Sequence, residues 1–345
     1  MSATMRPAVS GEADTMPAPT MNAIVCDRYG PPESLKLEDT VRPAPDDDRV
    51  LVRVRAVSIN PADLHNFGGG LIVRMTSGMQ RPRTRIPWSD VAGVVEAVGR
   101  NVTVLRPGDE VFGTCAGSLA EYALGGKNLV PMPAGMTFEQ AAALPIAGIT
   151  ALQGLRDKGR LQPGQSVLIN GAAGGVGTFA VQIAKALGAE VTGVCSTRNA
   201  DMVRSIGADD VVDYTREDFA RRGKRYDLVF DLVGNRSLSA LRRAAKPGGT
   251  LVLSGGAHDR GHGGRGMVRP LMLAARGLVL SKFVAEKIVF FIAQINKEDL
   301  LTLKELGEAG KVRPVIDRTC PLDAAPEAFR YLKTGHVSGK VVITV

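Results

Sequence analysis

The sequence predicts an α/β protein in which a doubly wound parallel sheet accompanies a second, β-rich domain. Up to about Leu144 the chain consists of short apolar runs separated by Pro and Gly, a pattern typical of strands and turns. From Ser166 to Ser254, apolar strand-like runs alternate with helix-like segments, which indicates parallel strands joined by helices. The length of 345 residues, 44% of them hydrophobic, suffices for two cores.

The β-rich part is expected to occupy residues 21–144, after a disordered leader at residues 1–20. The leader is rich in Ala, Pro, Ser, Thr and Met and lacks the apolar core of a signal peptide. The predicted strands of the β-rich part are Ala23 to Cys26, Val50 to Ser58, Val91 to Val98 and Glu110 to Phe112.

Residues 145–295 are expected to form the doubly wound domain, and residues 296–345 to return to the first one. The strands and helices predicted in the former are Ser166 to Asn170, Thr178 to Leu187, Val191 to Cys195, Ala200 to Ile206, Val211 to Asp213, Leu228 to Leu232, Leu238 to Ala245 and Thr250 to Ser254. Those of the returning segment are a helix at Lys297 to Ala309, a strand at Val315 to Arg318, a helix at Ala324 to Lys333 and a strand at Lys340 to Val345.

Charge and composition argue against a nucleic-acid partner or a membrane span. The net charge is +8, but the basic residues are spread out and only 5% of residues are aromatic, so a stacking surface is not expected. The longest apolar candidate, Leu278 to Ile295, is interrupted by Lys282, Glu286 and Lys287. The four cysteines form no Cys-x-x-Cys pair, which favours a reducing compartment and predicts a cytoplasmic protein.

A glycine-rich turn follows the first predicted strand of the alternating part. The order is the Ser166 to Asn170 strand, then Gly171-Ala172-Ala173-Gly174-Gly175-Val176-Gly177, then a helix. Gly174 would let the backbone approach a pyrophosphate and Gly177 would let the helix pack on the strand, while the helix N-terminus offers free N–H groups. A tight connection without a ligand is the alternative, but the surrounding alternation favours a dinucleotide site that includes Ala172, Gly175 and Val176.

The end of the second strand indicates which dinucleotide binds. An acidic residue there would accept hydrogen bonds from the ribose of NAD, but the sequence has Ser196, Thr197 and Arg198 after Cys195. Hydroxyls and a guanidinium suit a 2′-phosphate, so the prediction is NADPH. The alternative is that the hydroxyls cap the next helix while Arg198 is solvated.

Together these residues resemble the zinc-independent quinone oxidoreductase branch of the medium-chain dehydrogenase/reductases, from about Met21 to Val345. The supporting segments are Val57 to Asp63, Asp90 to Gly99, Gly108 to Gly113, Gly117 to Tyr122, Gly148 to Ala151, Ala172 to Gly177, Gly207 to Asp209, Asp213-Tyr214 and Ser338 to Val342. The resemblance implies a Rossmann domain inserted into a split GroES-like catalytic domain, with the active site where the two meet.

The resemblance also implies a reaction without metal. Zinc-dependent relatives place a cysteine in the segment of Asn60 and a Gly-His-Glu at Trp88 to Asp90, so both metal positions are lost here. His258 and His262 lack a third ligand in sequence and are read as part of a mobile loop, His258 to Arg265. Without a Lewis acid, a quinone or an α,β-unsaturated carbonyl is a better hydride acceptor than an alcohol is a donor.

Four catalytic candidates follow, each with an alternative. Asn60 is expected to contact the substrate oxygen, or else to bond its own turn. Asp63 and His65 are expected to relay a proton, with a surface or packing histidine as the alternative. Tyr122 is a further donor candidate, or a structural residue of its strand.

The resemblance assigns two more cofactor contacts and an assembly. It places Thr150 near the nicotinamide and Tyr214 beside the 2′-phosphate. It implies a homodimer formed through Leu278 to Val284, for which an internal strand is the alternative, and a substrate pocket shaped by Trp88 and Gly68 to Arg85. Two other functions remain open: a zinc-free alcohol or aldehyde oxidoreductase, and a non-catalytic NADPH-binding redox sensor or RNA-binding protein.

Overall fold

The structure, a computed structural model, describes residues 18–87, 89–254 and 285–345. Its first part contains, in chain order, β1 (Thr20–Val25), β2 (Lys36–Val41), β3 (Val50–Ile59), α1 (Pro61–Gly68), α2 (Leu71–Ser77), β4 (Ser89–Val98), β5 (Glu110–Cys115), β6 (Tyr122–Gly125), β7 (Leu129–Pro131) and α3 (Phe138–Ala143). β1 and β2 pair antiparallel, and β3, β4, β5 and β7 form successive antiparallel pairs. This part is β-rich, as predicted.

The second part alternates strand and helix. Its elements are α4 (Pro145–Leu152) with a π-helix at Gln153–Lys158, β8 (Ser166–Asn170), α5 (Gly175–Ala186), β9 (Glu190–Cys195), α6 (Ala200–Ser205), β10 (Asp210–Asp213), β11 (Tyr226–Asp231), α7 (Leu238–Ala244), β12 (Ala245–Leu253) and β13 (Lys287–Phe290). All pairs in this sheet are parallel, in the order β10-β9-β8-β11-β12-β13. Numbered within the sheet, this is the Rossmann order 3-2-1-4-5-6.

The last part of the chain joins the first sheet. It contains α8 (Lys297–Glu308), β14 (Ile316–Pro321), α9 (Ala325–Lys333) and β15 (Lys340–Thr344). β15 pairs antiparallel with β3 and parallel with β14, so one sheet combines strands from both ends of the chain. The predicted fold class, a Rossmann sheet inserted into a split β-rich domain, is confirmed.

Hydrophobic clusters pack against both sheets. The cluster around β8, β9 and α5 includes the fully buried Phe179 and continues onto the antiparallel sheet at Phe112. A second cluster fills the antiparallel part around Ile59 and Phe329, and a third, with Phe219, covers the other face of the parallel sheet. β8 is buried along its whole length because helices cover both faces of a parallel sheet.

Several short elements of the first part were not predicted from the sequence. α1 begins immediately after Asn60, with Pro61 at a position where its lacking N–H costs nothing. α2 lies inside the segment expected to shape the substrate pocket, Gly68 to Arg85. Thr20 already belongs to β1 and not to the leader.

Some predictions fall outside the described residues: most of the leader, Trp88, the His258 to Arg265 loop and the Leu278 to Val284 strand. Across the described ranges, no helix combines the length and apolar character that crossing a bilayer requires.

Candidate active site

The glycine turn between β8 and α5 brings the start of the helix into close contact with the end of the strand. A Cβ on Gly177 would lie 2.0 Å from the carbonyl oxygen of Gly171, which no side chain tolerates. Gly171 itself adopts a positive φ of 91°. The turn therefore needs glycine at Gly177 for packing of the helix on the strand, as the sequence predicted.

The same turn leaves room where a pyrophosphate would approach. A Cβ on Gly174 would meet only the Gly171 oxygen, at 3.5 Å, so the space beside its backbone is open. The N–H groups of Gly175, Val176 and Gly177 at the start of α5 have no partner within the helix, and the first helical bond runs from the Thr178 N–H to the Gly174 carbonyl at 2.9 Å. Ala172 is buried, while Val176 is partly exposed at this end. The open space at Gly174 and the free N–H groups of α5 fit a dinucleotide phosphate.

The loop after β9 carries the polar groups predicted to hold the 2′-phosphate. Ser196 is partly exposed, and Thr197 and Arg198 are exposed. The Thr197 hydroxyl donates to Asp213 Oδ2 at 2.5 Å, and an Arg198 N–H donates to the carbonyl of His336. A guanidinium has five N–H donors, so this bond does not exhaust Arg198.

Tyr214 lies next to this loop because β10 runs beside β9. Asp213 pairs with Cys195 in the sheet, and the Tyr214 N–H donates to the Cys195 carbonyl at 3.0 Å. The Tyr214 side chain is 53% exposed. The structure thus brings Ser196, Thr197, Arg198 and Tyr214 to the carboxyl edge of the sheet that also carries the glycine turn.

On the substrate side, Asn60 lies in a buried polar cluster. One amide hydrogen donates to Asp90 Oδ2 at 2.9 Å and the other to the Ser58 carbonyl at 3.2 Å, while Asn60 Oδ1 accepts from Lys340 Nζ at 2.5 Å. Asn60, Asp90 and Lys340 are 4%, 0% and 3% exposed. Donation from Asn60 to a substrate oxygen would require one of these internal bonds to break.

Asp63 belongs to the same cluster. Its Oδ2 accepts from the Asn60 N–H at 2.7 Å and from the Ser89 hydroxyl at 3.0 Å, whereas Oδ1 is buried without a hydrogen-bond partner. Burial raises the pKa of Asp63 to about 7, and burial also raises the pKa of Asp90 to about 6 despite the attraction of Lys340. Burial lowers the pKa of Lys340. Burial thus disfavours the charged form of all three groups.

Tyr122 lies apart from this cluster, while His65 follows Asp63 by two residues on α1. His65 is half-buried on α1, where its carbonyl accepts from the N–H of Gly69. Tyr122 pairs with Arg53 on β3, seven residues before Asn60, which corresponds to roughly 20 Å along a strand. Its ring is covered by the Arg42 guanidinium, 3.8 Å from the ring centre. The structure does not bring Tyr122 to the cluster, and packing in its strand, the alternative given for this residue, accounts for its position.

Thr150 lies on α4, whose first turn reaches the cluster. The Ile146 N–H donates to Asp90 Oδ1 at 3.1 Å, and the Thr150 hydroxyl donates to the Ile146 carbonyl at 2.7 Å. Thr150 is 8% exposed. The helix predicted to approach the nicotinamide end is thus bonded to the substrate-side cluster.

Asp90 and Lys340 were not predicted as site residues from the sequence. Asp90 is the second residue of the largely apolar strand Ser89–Val98, and Lys340 begins the strand Lys340–Thr344. A charged side chain in a buried strand needs a buried partner of opposite charge. This requirement could have identified Asp90 and Lys340 as a pair from the sequence. Within the described ranges, no group of three or more His, Cys, Asp or Glu side chains is placed to hold a metal.

Comparison with known proteins extends these observations. Two family models match: the alcohol dehydrogenase GroES-like domain over residues 46–152 and the zinc-binding dehydrogenase over residues 206–343. The 2-methylene-furan-3-one reductase of Solanum lycopersicum is 35% identical over 332 residues, covering 91% of this chain and 76% of the relative. The NADPH-dependent alkenal/one oxidoreductase, chloroplastic, of Arabidopsis thaliana is 34% identical, covering 97% and 82%. The structure of the quinone oxidoreductase from Coxiella burnetii has a TM-score of 0.80 at 32% identity, covering 95% and 100%.

A Rossmann sheet set into a split GroES-like domain, with a dinucleotide turn at the junction, defines a class of nicotinamide-dependent oxidoreductases. With relatives of this identity and coverage, the chain belongs to the medium-chain dehydrogenase/reductase superfamily, in its quinone oxidoreductase-like branch. The family prediction is confirmed.

Proposed function

We propose that this enzyme reduces a quinone or an α,β-unsaturated carbonyl with NADPH and without zinc. The observation that carries the proposal is the pairing of two features in one fold. The largely exposed Ser196 to Arg198 loop suits a 2′-phosphate, and the buried Asn60 occupies the segment in which, by the family resemblance, zinc-dependent relatives place a metal-ligating cysteine. The relatives named for alkenal, furanone and quinone reduction support the same substrate class.

The groups of the glycine turn and of the loop after β9 would each hold a different part of NADPH. The backbone at Ala172 and Gly174 and the α5 N-terminus, with Gly175, Val176 and Gly177, would hold the pyrophosphate. Ser196, Thr197 and Arg198 would bind the 2′-phosphate, with Tyr214 alongside. Thr150 would lie toward the nicotinamide. When bound, NADPH supplies the hydride for the reduction.

On the substrate side, the protein would supply position and hydrogen bonds to the oxygen that gains negative charge. Of the two amide hydrogens of Asn60, the one on the Ser58 carbonyl makes the longer bond, 3.2 Å, and we assign that hydrogen to the substrate oxygen. The Asp63 carboxyl, which accepts from the backbone N–H of Asn60, would carry a proton, since burial raises its pKa to about 7. His65 stays a candidate for passing a proton outward.

The cellular setting is part of the proposal. All four cysteines are free, which suits a reducing compartment, and we propose the cytoplasm. Two relatives are named as chloroplastic and mitochondrial, so fractionation of the source cells is the test. We also propose a homodimer, because β13 ends the parallel sheet among the described residues. Light scattering after size exclusion would give the mass.

The direct test uses purified protein stripped of metal by a chelator. NADPH loss is followed by its near-ultraviolet absorbance with ortho-quinones, para-quinones, enones and aldehydes, and NADH serves as the matched comparison. Turnover of quinones or enones, faster with NADPH, is the expected result. Activity confined to alcohols and aldehydes, or dependent on added zinc, would support the alcohol oxidoreductase instead. Tight NADPH binding without turnover, with RNA affinity competed by NADPH, would support the sensor.

A further inference from the structure

A single buried lysine links the cofactor turn to the substrate side. Lys340 Nζ donates to Asn60 Oδ1 at 2.5 Å and lies 3.8 Å from Asp90 Oδ2. Asp90 also accepts from the Asn60 amide and from the Ile146 N–H of α4. Asn60, α4 and β15 therefore meet at one ion pair.

The backbone next to Lys340 is bonded to the glycine turn. The Gly339 N–H donates to the Ala173 carbonyl at 2.9 Å, and Gly339 forms an isolated parallel bridge with Gly174. A Cβ placed on Gly175 would lie 3.1 Å from Cδ of Lys340. The aliphatic stem of Lys340 thus lies against the turn that seats the pyrophosphate, while its ammonium reaches the substrate-side amide.

The charges of the cluster balance only if Asp63 is neutral. Two carboxylates, Asp63 and Asp90, face one ammonium, and all three side chains are 3% exposed or less. Asp63 Oδ1 has no hydrogen-bond partner, and an ionised carboxylate with a bare buried oxygen is costly. Asp90 and Lys340 are then the charged pair. The Asn60 amide is oriented by this pair, since its oxygen faces the cation and its nitrogen faces the anion.

We propose that Lys340 is a positioning residue that fixes the Asn60 amide relative to the glycine turn. Its ammonium selects the orientation in which the Asn60 oxygen faces inward, and its stem ties that orientation to the backbone that seats the cofactor. The role rests on the proposed function, because it concerns the amide that would meet the substrate.

The test separates stability from positioning with two variants. Lys340→Met keeps the stem but leaves Asp90 as an unpaired buried charge, so a lower melting temperature is expected. Lys340→Met combined with Asp90→Asn removes both charges. The oxygen of the new amide at position 90 would accept from the Ile146 N–H, and its nitrogen would then donate to Asn60. The Asn60 amide would have to flip so that its oxygen accepts this bond. The double variant should regain the melting temperature of the wild type but not the wild-type orientation of the Asn60 amide.

Three quantities are measured for each protein: melting temperature without cofactor, NADPH dissociation constant from cofactor fluorescence, and kcat at saturating NADPH. We expect the double variant to melt near the wild type and to bind NADPH within about threefold, yet to lose about 100-fold in kcat, as a misplaced contact does. Recovery of kcat along with stability would overturn the proposal. So would a loss of NADPH affinity as large as the loss of kcat.

Two controls keep the result interpretable. In an Asn60→Ala background the same double change should lower kcat no further, because Lys340 acts through Asn60; a further drop of about 100-fold would contradict that. Asp299→Asn disturbs a comparable buried cluster, in which Asp299 bonds Arg156 at 2.7 Å and Gln153 at 2.6 Å, and should lower the melting temperature without lowering kcat. A wild-type enzyme without turnover would instead contradict the proposed function, before any variant is made.

Discussion

The cofactor edge and the substrate-side cluster use polar residues in opposite ways. At the cofactor edge, Thr197, Arg198 and Tyr214 are exposed. In the cluster, Asn60, Asp90 and Lys340 are buried and bonded to one another. The first region is open to a charged ligand from solvent. The second is an internal framework that sets the direction of a single amide.

This difference explains why the two regions should respond differently to substitution. Removing an exposed phosphate-binding group costs ligand affinity and little stability. Removing one member of a buried charged pair costs stability first, because its partner is left unpaired. Exposure therefore predicts whether a variant changes binding or folding.

The largest effect should come from a glycine of the turn. In Gly177→Ala the new Cβ would lie 2.0 Å from the Gly171 oxygen, so α5 must shift away from β8, and both the melting temperature and NADPH binding should fall steeply. Gly174→Ala is the matched control. Its Cβ has room, so it should melt like the wild type while the methyl group weakens NADPH binding. Equal melting of both variants would contradict the close packing at Gly177.

Arg198→Ala should weaken NADPH binding about tenfold or more, because a charge-assisted bond to the 2′-phosphate is lost. NADH binding should stay unchanged, since that cofactor has no 2′-phosphate. Fluorescence titration with both cofactors gives the ratio. Unchanged NADPH affinity would indicate that Ser196 and Thr197, and not Arg198, bind the 2′-phosphate. Equal losses of affinity for both cofactors would indicate that the substitution disturbs the loop.

Asp63 should make folding stability depend on pH. Its folded pKa of about 7 lies above the ordinary aspartate value of 3.8, so between roughly pH 4 and 7 the folded state keeps a proton that the unfolded state releases. This contribution to the unfolding free energy should fall by about 1 kcal/mol per pH unit in that window and level off above it. Urea unfolding of wild type and Asp63→Asn at several pH values isolates the slope. Parallel curves would mean that Asp63 is ionised in its buried site.

The smallest effect should come from Tyr122→Phe. Since Tyr122 lies beside Arg53 and under Arg42, loss of its hydroxyl should change kcat less than about twofold. Steady-state kinetics with an enone would show it, and Asn60→Ala provides the contrast. A loss of about tenfold or more would place Tyr122 in the site after all.

The sequence is most informative where chain order and spatial order coincide. The predicted strand Ser166 to Asn170 has the bounds of β8, and the predicted helix Lys297 to Ala309 matches α8 within one residue. The glycine turn and the Ser196 to Arg198 loop follow neighbouring parallel strands, so their proximity can be inferred from the order of the elements.

The substrate side is harder to predict because its members are distant in sequence. Asn60 follows β3, Asp90 lies on β4 and Lys340 begins β15, and only the pairing of β15 with β3 brings the lysine to the amide. Tyr122 shows the same difficulty. It is the last residue of a family motif, Gly117 to Tyr122, but the register of β6 on β3 pairs it with Arg53, far along β3 from Asn60.

The central claim is that NADPH donates a hydride to the substrate, and the most direct test traces that hydrogen into the product. The metal-stripped enzyme is given an enone and NADPH deuterated at the transferable position, and the product is analysed by mass spectrometry and NMR. The account predicts one deuterium at the carbon β to the carbonyl and a solvent hydrogen at the α carbon. Reduction without deuterium in the product, or deuterium on the carbonyl carbon, would contradict it.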